Sequence, residues 1–233
     1  MLKLLTSTKQ ISIGGRPSDD RLELSAGRQP PLSALPSRMK RVFDVVVAFV
    51  GLSLLFPLLC LAALLIKLDS PGPTFFRQER LGKGFRPFFI YKFRTMVHDA
   101  PHKGRSITVG ADPRITRVGR ILRKTKLDEL PQLFNVLKGD MSFVGPRPEV
   151  RQYVELFRRD YEEILQVRPG ITDLASLIYR HEAEILGRTN HPEEEYVQSV
   201  LPDKIRLAKE YLKRSSLLFD VTLICKTLLK LFR

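Results

Sequence analysis

Apolar and polar positions are distributed unevenly along this chain, because one long apolar segment stands apart from an otherwise mixed sequence. Residues 45–66 contain no charged side chain, and Pro57 lies near the middle of the segment. A straight helix of this length would measure roughly 33 Å, enough to cross the hydrocarbon core of a bilayer. The pattern therefore predicts a membrane helix, to which we assign residues 40–67.

The charges beside this segment indicate how it meets the membrane. Lys40 and Arg41 precede it, and Lys67 and Arg77 are among the cations that follow it. Positive flanks mark the cytoplasmic side, so both ends are predicted to face the cytoplasm. Pro57 removes a backbone donor and clashes with the preceding turn, which would bend the helix. We predict a re-entrant helix that enters and leaves by one face; an ordinary transmembrane helix with a tolerated proline is the commoner alternative.

Shorter periodicities occur on both sides of the apolar segment. Residues 1–39 are rich in Ser, Pro, Gly and Arg and predict a disordered extension. Aromatic and β-branched runs at 74–79 and 85–94 predict a small β-hairpin. Helical spacing predicts helices over 114–124, 130–137, 150–166, 192–213 and 216–232. The last helix has one broad apolar face, which is typical of an interfacial helix and equally of a core-packing one.

Composition narrows the class of partner. The 233 residues include 39 Lys and Arg against 25 Asp and Glu, a formal net charge of +14. This excess predicts a polyanionic partner: nucleic acid, anionic lipid or a phosphorylated substrate. Trp is absent and no aromatic RNA-binding signature occurs, so a membrane surface and phosphate ligands outrank nucleic acid. The two cysteines, Cys60 and Cys225, predict neither a disulfide framework nor a metal cluster.

One stretch that could carry chemistry is the acidic pair Asp128-Glu129 at the start of a predicted helix. Such a pair is most often a capping group that complements the helix dipole. Here a cationic field precedes it, which we expect to depress both carboxyl pKa values and to gather phosphate. The field consists of Arg120, Arg123, Lys124 and Lys126. An ionised Asp can attack phosphorus, and a neighbouring carboxylate can hold Mg²⁺ or handle a proton.

Three further motifs present cations that could bind phosphate. In Gly145-Pro146-Arg147-Pro148 two prolines fix the backbone around Arg147, whose guanidinium fork suits a bidentate phosphate contact. Arg168 is fixed by the Pro-Gly that follows it, while Lys92 and Arg94 close the predicted hairpin. Taken singly, each motif is more often a plain turn or strand whose charge faces water. Their occurrence beside the acidic pair is what makes them candidates.

These motifs together resemble bacterial sugar transferases, in particular the small monotopic polyprenyl-phosphate phosphoglycosyl transferases. The resemblance covers roughly residues 40–233. It depends on the apolar segment and on five ordered stretches, at 76–82, 91–96, 127–142, 144–148 and 168–172. It implies a fold that is α/β and mostly α, with a membrane-embedded re-entrant helix, interfacial amphipathic helices and a small β-hairpin. Residues 68–233 would then form a cytoplasmic, membrane-associated catalytic domain.

The resemblance also implies a reaction. Asp128 would attack the β-phosphate of a UDP-sugar, release UMP and carry the phosphosugar until polyprenyl (undecaprenyl) phosphate accepts it. Glu129 would share Mg²⁺ with Asp128 or assist the proton balance. Arg147 would contact the phosphate or nucleotide, and the weaker candidates for this role are Arg94, Arg168 and Lys92.

The implied setting is the cytoplasmic face of the bacterial inner membrane. There the protein would initiate exopolysaccharide, O-antigen or another glycan for downstream glycosyltransferases. A membrane-tethered basic scaffold without chemistry is the alternative, but it leaves the acidic pair and Arg147 unexplained. The chain departs from the family pattern at Phe56, where a Ser is usual, and at Asp173 and Ser176. The donor sugar and any homo-oligomer therefore stay open.

Overall fold

The computed structural model of the protein describes residues 37–100, 108–109, 112–180 and 182–231. The predicted extension 1–39 lies almost wholly outside these residues. The predicted fold class, α/β and mostly α, is confirmed, since short strands in two small sheets accompany the helices.

Helix α1 spans Ser37–Asp69 and is longer at both ends than the predicted 40–67. Pro57 lies inside this helix, which continues past the proline to its end, so the segment is not divided into two helices. Among the described residues it is the one helix long and apolar enough to cross a membrane, and only 17% of its most apolar window is buried. A core helix of a soluble protein would be largely covered, so the exposed apolar face indicates contact with a membrane. The re-entrant path stays a prediction.

The predicted hairpin is confirmed. Strand β1 (Phe75–Leu81) pairs antiparallel with β2 (Pro87–Phe93), and Phe75 lies opposite Phe93 at the open end. The chain then forms α2 (Arg117–Thr125), a 3₁₀ turn at Leu127–Glu129 and α3 (Gln132–Lys138).

The three helices predicted over the rest of the chain are present, although two of them are interrupted and short unpredicted elements lie between them. Residues 150–166 fold as α4 (Arg151–Leu156) and α5 (Arg158–Ile164), divided at Phe157. Residues 192–213 fold as α8, a π-helical turn and α9. The other elements, in chain order, are β3 (Ser142–Val144), β4 (Gly170–Thr172), α6 (Leu174–Ile178), α7 (Glu182–Leu186), α8 (Pro192–Glu195), the π turn Tyr196–Val200, α9 (Leu201–Arg214) and α10 (Leu217–Leu231).

Two apolar clusters fasten α1 to the rest of the protein. Ala48 packs with Leu133 and Val136 of α3, and further along α1 Ile66 packs with Leu122 of α2. These contacts place α2, α3 and the 3₁₀ turn between them along one side of the long helix. A separate cluster between α4, α5 and α9 forms a core that contains no residue of α1.

A parallel pairing of β3 with β4 was not predicted by the sequence pattern. It aligns Ser142 with Gly170 and Val144 with Thr172. A Cβ added at Gly170 would lie 2.1 Å from the backbone nitrogen of Gly145, so only glycine permits this close approach. The pairing therefore brings together Pro146-Arg147-Pro148 and Arg168-Pro169-Gly170, although Pro148 and Arg168 are 20 positions apart in the sequence.

Candidate active site

The acidic pair lies on the 3₁₀ turn that connects α2 to α3. Lys126 ends α2 in the left-handed conformation, with φ of 58°, and the chain turns sharply there. Pro131 then precedes the first residue of α3 with helical backbone angles. Asp128 becomes buried in this turn, while Glu129 points to two cations on neighbouring elements.

Glu129 is the centre of an ion-pair cluster. Both terminal nitrogens of Arg147 donate to its carboxylate, and Lys92 Nζ donates to Oε1 at 2.8 Å. Burial by itself would raise the carboxyl pKa, but the guanidinium of Arg147 and the ammonium of Lys92 hold the pKa of Glu129 well below its usual range. Glu129 in turn raises the pKa of Arg147. Both shifts favour the charged forms of Glu129 and Arg147, whereas burial lowers the pKa of Lys92 and its contact with Glu129 opposes this shift.

Asp128 has a different environment from its neighbour. Its Oδ1 atom is buried and has no hydrogen-bond partner among the described residues. Burial raises the pKa of Asp128, and the charge of Glu129 raises it further, although Lys92, Lys126 and Arg123 oppose this shift. The expected lowering of both carboxyl pKa values is thus right in direction for Glu129, although Arg147 and Lys92 cause it and not the predicted field. It is wrong for Asp128, because desolvation dominates there.

Arg147 is held from its backbone as well as from its side chain. Its amide nitrogen donates to Asp173 Oδ2 at 3.3 Å, while Asp173 Oδ1 accepts from Ser176 N at 2.7 Å and so caps α6. Asp173, at which the chain departs from the family pattern, is thus the N-cap residue of α6. Its contact with Arg147 was missed, since it depends on the unpredicted pairing of β3 with β4.

Arg94 and Arg168 are directed away from the acidic pair. Arg94 is buried and donates to the carbonyl oxygens of Ile66, Ser70 and Pro71 at the end of α1. Arg168 Nε donates at 2.9 Å to the carbonyl of Gly139, which ends α3. Both cations therefore satisfy carbonyl groups left unpaired at helix C-termini. Of the predicted site residues, the structure brings together Asp128, Glu129, Lys92 and Arg147.

Gln132 is a site-proximal residue that the sequence pattern did not single out. Its side chain is fully buried on the first turn of α3, and neither amide atom has a hydrogen-bond partner among the described residues. The sequence does offer one signal for Gln132: its amide lies four positions after Asp128 and directly before an apolar run. It leaves a second polar group without a protein partner close in sequence to Asp128.

The acidic pair fits Mg²⁺ in a limited way. Within the described residues no group of three or more His, Cys, Asp or Glu side chains could hold a metal ion. Mg²⁺ is commonly bound by one or two carboxylates together with water and substrate phosphates. Two adjacent carboxylates therefore provide the protein ligands that such a site needs. The unpaired Oδ1 of Asp128 is an available ligand, whereas both oxygens of Glu129 already accept from cations.

Comparison with known proteins identifies the family. Residues 35–233 match the family model described as bacterial sugar transferase. The chain belongs to the bacterial sugar transferase family. Over 228 residues it is 40% identical to the UDP-N-acetylgalactosamine-undecaprenyl-phosphate N-acetylgalactosaminephosphotransferase of Aeromonas hydrophila, a match that covers 94% of this chain and 50% of the relative.

Two further relatives of this bacterial sugar transferase are named for a different sugar. Both are UDP-glucose:undecaprenyl-phosphate glucose-1-phosphate transferases. The one from Caulobacter vibrioides is 49% identical over 166 residues, covering 69% of this chain and 61% of the relative. The one from Escherichia coli is 38% identical over 206 residues, covering 87% and 42%. The chain spans about half the length of the curated relatives it matches, and their names differ in the sugar.

Proposed function

We propose that the protein transfers a sugar-1-phosphate from a UDP-sugar to polyprenyl phosphate, with undecaprenyl phosphate as the natural acceptor. The observation that carries this proposal is the carboxylate of Asp128, whose Oδ1 atom is buried without a hydrogen-bond partner among the described residues, beside the ion pairs of Glu129 with Arg147 and Lys92. Burying a carboxylate oxygen without a hydrogen-bond partner costs folding free energy. Such a group is therefore expected to have a function. A nucleophile that must attack phosphorus has such a function, because its lone pair has to remain free.

In the first step an oxygen of Asp128 attacks the β-phosphorus of the UDP-sugar. The bond between this phosphorus and the oxygen that bridges to the α-phosphate breaks, and UMP leaves with that oxygen. The product on the protein is an acyl-phosphate that carries the sugar. Desolvation of Asp128 favours this attack, since its Oδ1 atom is buried and has no hydrogen-bond donor among the described residues.

Arg147 and Lys92 stabilise the charge of the transferring phosphate. Phosphoryl transfer depends chiefly on positioning and on neutralising charge on the equatorial oxygens. In the absence of substrate both cations are paired with Glu129, which holds them at the site in fixed positions. Mg²⁺ bound by Asp128, Glu129 and the substrate phosphates would supply further charge neutralisation.

In the second step an oxygen of polyprenyl phosphate attacks the same phosphorus. The acyl-phosphate bond breaks, Asp128 is regenerated as a carboxylate, and a polyprenyl-diphosphate-sugar is formed. No net proton is consumed in either step. Because the intermediate is covalent, the soluble donor and the membrane-bound acceptor need not be bound together.

The attachment of α1 supports a location on one face of the membrane. Near its beginning Asp44 accepts from Ser142 Oγ and from Phe143 N, each at 3.0 Å. At its end Asp69 accepts from Val118 N at 3.0 Å. Asp44 and Asp69 would lie about 38 Å apart on a straight helix, more than the thickness of a bilayer core.

Both ends of α1 therefore contact the same domain. A helix that crossed the bilayer would place one of these polar contacts on the far side, away from the domain. We propose a monotopic protein on the cytoplasmic face of the bacterial inner membrane, where it initiates a glycan that downstream glycosyltransferases extend. The apolar residues on the outer face of α1, including Phe49, Leu54 and Leu61, would contact lipid.

The deciding experiment is a measurement of UMP release from a panel of UDP-sugars, with purified protein, Mg²⁺ and undecaprenyl phosphate. We expect one sugar to give UMP, and Asp128→Asn to give none while its folding and membrane binding are retained. Glu162→Gln is the matched control, because Glu162 is an exposed carboxylate on α5 whose partner Arg158 lies 4.0 Å away. This variant should match the wild-type protein.

Omission of the acceptor tests the covalent step separately. Without polyprenyl phosphate, we expect a burst of UMP that stops near one equivalent per protein, with the phosphosugar label retained on the chain. Steady release that requires the acceptor from the start would contradict the aspartyl intermediate. No UMP from any sugar by folded, membrane-bound protein would favour the alternative, a membrane-tethered basic scaffold.

A further inference from the structure

Helix α2 presents an exposed face of cations that the proposed reaction does not use. Arg117, Arg120, Ile121 and Lys124 are all exposed, and their spacing of i, i+3, i+4 and i+7 places them on one side of the helix. Ile121 at the centre of this face is 63% exposed. None of the three cations forms an ion pair with a described residue. We call these four residues the cationic face.

The orientation of the cationic face is fixed by close packing on the opposite side of α2. A Cβ added at Gly119 would lie 2.1 Å from the carbonyl oxygen of Thr95, which follows the end of β2. The backbone of α2 therefore lies directly against this segment. Thr116 N donates to the same carbonyl at 3.1 Å, and Arg123 Nε donates to Thr95 Oγ1 at 2.8 Å. The helix therefore cannot rotate to bury Ile121 or to pair its cations within the domain.

The position of α2 along α1 places the cationic face where the apolar segment ends. Val118 N is bonded to Asp69 in the last turn of α1, and Leu122 packs against Ile66. Lys67 is the first charged residue after the apolar segment. If the apolar segment lies in the hydrocarbon region, the cations of α2 are held close to the lipid headgroups.

We propose that the cationic face of α2 is a binding surface for anionic phospholipid headgroups. Three unpaired cations around one exposed apolar side chain form the pattern of an interfacial helix on an anionic membrane. The apolar side chain enters the headgroup region, while the cations contact lipid phosphates. The exposed isoleucine among the cations favours a membrane surface over nucleic acid, because the headgroup region can bury an apolar side chain beside the phosphates. This inference depends on membrane attachment through α1 and not on the proposed reaction.

A fluorophore on the cationic face measures this contact in the full chain. Cys60 and Cys225 are the only cysteines, so Cys60→Ala and Cys225→Ala provide a background in which Ile121→Cys carries an environment-sensitive dye. The protein is placed in nanodiscs of phosphatidylcholine, with or without about 30% phosphatidylglycerol. We expect a blue shift and reduced iodide quenching in the anionic discs, both weakened as salt rises from about 50 to 500 mM.

Three sets of substitutions identify the source of the response. Loss of the cations in R117Q/R120Q/K124Q should abolish it, and the charge-conserving R117K/R120K/K124R should keep it. The matched control K83Q/R159Q/R188Q removes the same number of exposed cations from the hairpin turn, from α5 and from the segment after α7. It should keep the response, since these elements do not pack against α1.

Each other outcome overturns the proposal. Equal emission in neutral and anionic discs would mean that the cationic face has no preference for anionic headgroups. Equal loss in the control would mean that overall charge, and not this face, attracts the protein. A response that requires addition of undecaprenyl phosphate at about 1% of lipid, and is absent with phosphatidylglycerol alone, would assign the face to that phosphate instead.

Discussion

Asp128 and Glu129 are neighbours in the chain, yet their surroundings act on them in opposite directions. Glu129 is compensated by two cations on other elements, whereas Asp128 keeps a buried oxygen that has no partner within the described part of the chain. The difference arises because successive residues of a 3₁₀ turn point about 120° apart. One carboxylate therefore reaches the cations of β2 and of the loop after β3, and the other faces inward. In the mechanism proposed above, this arrangement separates Glu129, which holds the two cations, from Asp128, the nucleophile.

The raised pKa of Asp128 predicts that its charge destabilises the folded protein. A carboxyl whose pKa is higher in the folded state contributes stability below its unfolded pKa, and this contribution is lost as pH rises through the folded pKa. At pH 7 Asp128→Asn should therefore raise Tm, by about 2–4 °C for each kcal/mol gained. Thermal unfolding in detergent at several pH values measures this, and the gain should shrink towards acid.

A lower Tm for Asp128→Asn at pH 7 would contradict this prediction. It would mean that attraction to Lys92, Lys126 and Arg123 outweighs the cost of desolvation. Glu162→Gln serves again as the control, because an exposed carboxylate should change Tm little at any pH.

Glu129→Gln is predicted to have the opposite effect on stability. The lowered pKa of Glu129 means that its stabilisation is present above the unfolded pKa and is lost as pH falls through the folded pKa. The Gln variant leaves Arg147 and Lys92 without their counter-charge, and we expect a loss of about 2 kcal/mol at pH 7. Denaturant unfolding should show this loss at neutral pH and a smaller one in acid. Unchanged stability at pH 7 would refute the compensating role of Glu129.

At the scale of elements, local pattern and long-range pairing contributed differently to what could be predicted. The β1–β2 hairpin and α2 follow from alternation, turn residues and helical spacing within single segments, and the structure contains both. The β3–β4 pairing joins two three-residue strands with no repeating pattern, so nothing local indicated it. The break at Phe157 and the π turn at Tyr196–Val200 interrupt helices that the periodicity predicts as continuous, and residues of both breaks pack in or against the cluster between α4, α5 and α9.

The same limit explains which site residues were found. Asp128, Glu129 and Arg147 lie in short motifs whose residue types fit phosphate chemistry, and Lys92 is brought to them by the hairpin. Residue type alone could not separate these cations from Arg94 and Arg168. An Arg beside a turn can donate to the carbonyls at a helix C-terminus, as these two do, or bind a phosphate. The distinction depends on which element packs next to the turn.

Close packing of α2 on the end of β2 gives an element-scale prediction. In Gly119→Ala the added Cβ would lie 2.1 Å from the carbonyl of Thr95, so α2 must shift. We expect a loss of roughly 1–3 kcal/mol, as for overpacking elsewhere. Gly51→Ala in α1 is the matched control, since its nearest neighbour would be Leu133 at 3.6 Å, an ordinary contact. It should be neutral or raise stability by up to about 1 kcal/mol.

Equal stability of the two alanine variants would contradict the close approach of α2 to Thr95. If Gly119→Ala selectively lowers stability, we also expect a smaller blue shift of the dye at position 121 in anionic discs. The cationic face is oriented by the same contact with Thr95. Thermal unfolding of both variants in one detergent provides the comparison.

At the scale of the whole molecule, α1 is both an anchor and part of the scaffold that positions the site. Its inner face packs along α3 and α2, and the 3₁₀ turn that carries Asp128 lies between these two helices. Arg94 fixes the end of α1 by donating to its last carbonyls. The site is therefore held at a constant distance from the apolar face of α1. In the mechanism proposed above, this constant distance would keep Asp128 at one depth relative to the membrane-bound acceptor.

Contacts at both ends of α1 predict that both ends lie on the same side of the membrane. Arg38 and Leu68 are exposed near the two ends, so Arg38→Cys and Leu68→Cys can each be introduced after Cys60→Ala and Cys225→Ala. An impermeant maleimide added to sealed inside-out vesicles should label both positions, and in right-side-out vesicles neither. Native Cys60, kept with Cys225→Ala alone, should resist the reagent in both, because it lies on the apolar part of α1. Labelling of the two ends from opposite faces would establish a crossing helix, and the polar contacts of Asp44 or Asp69 would then have to break on insertion.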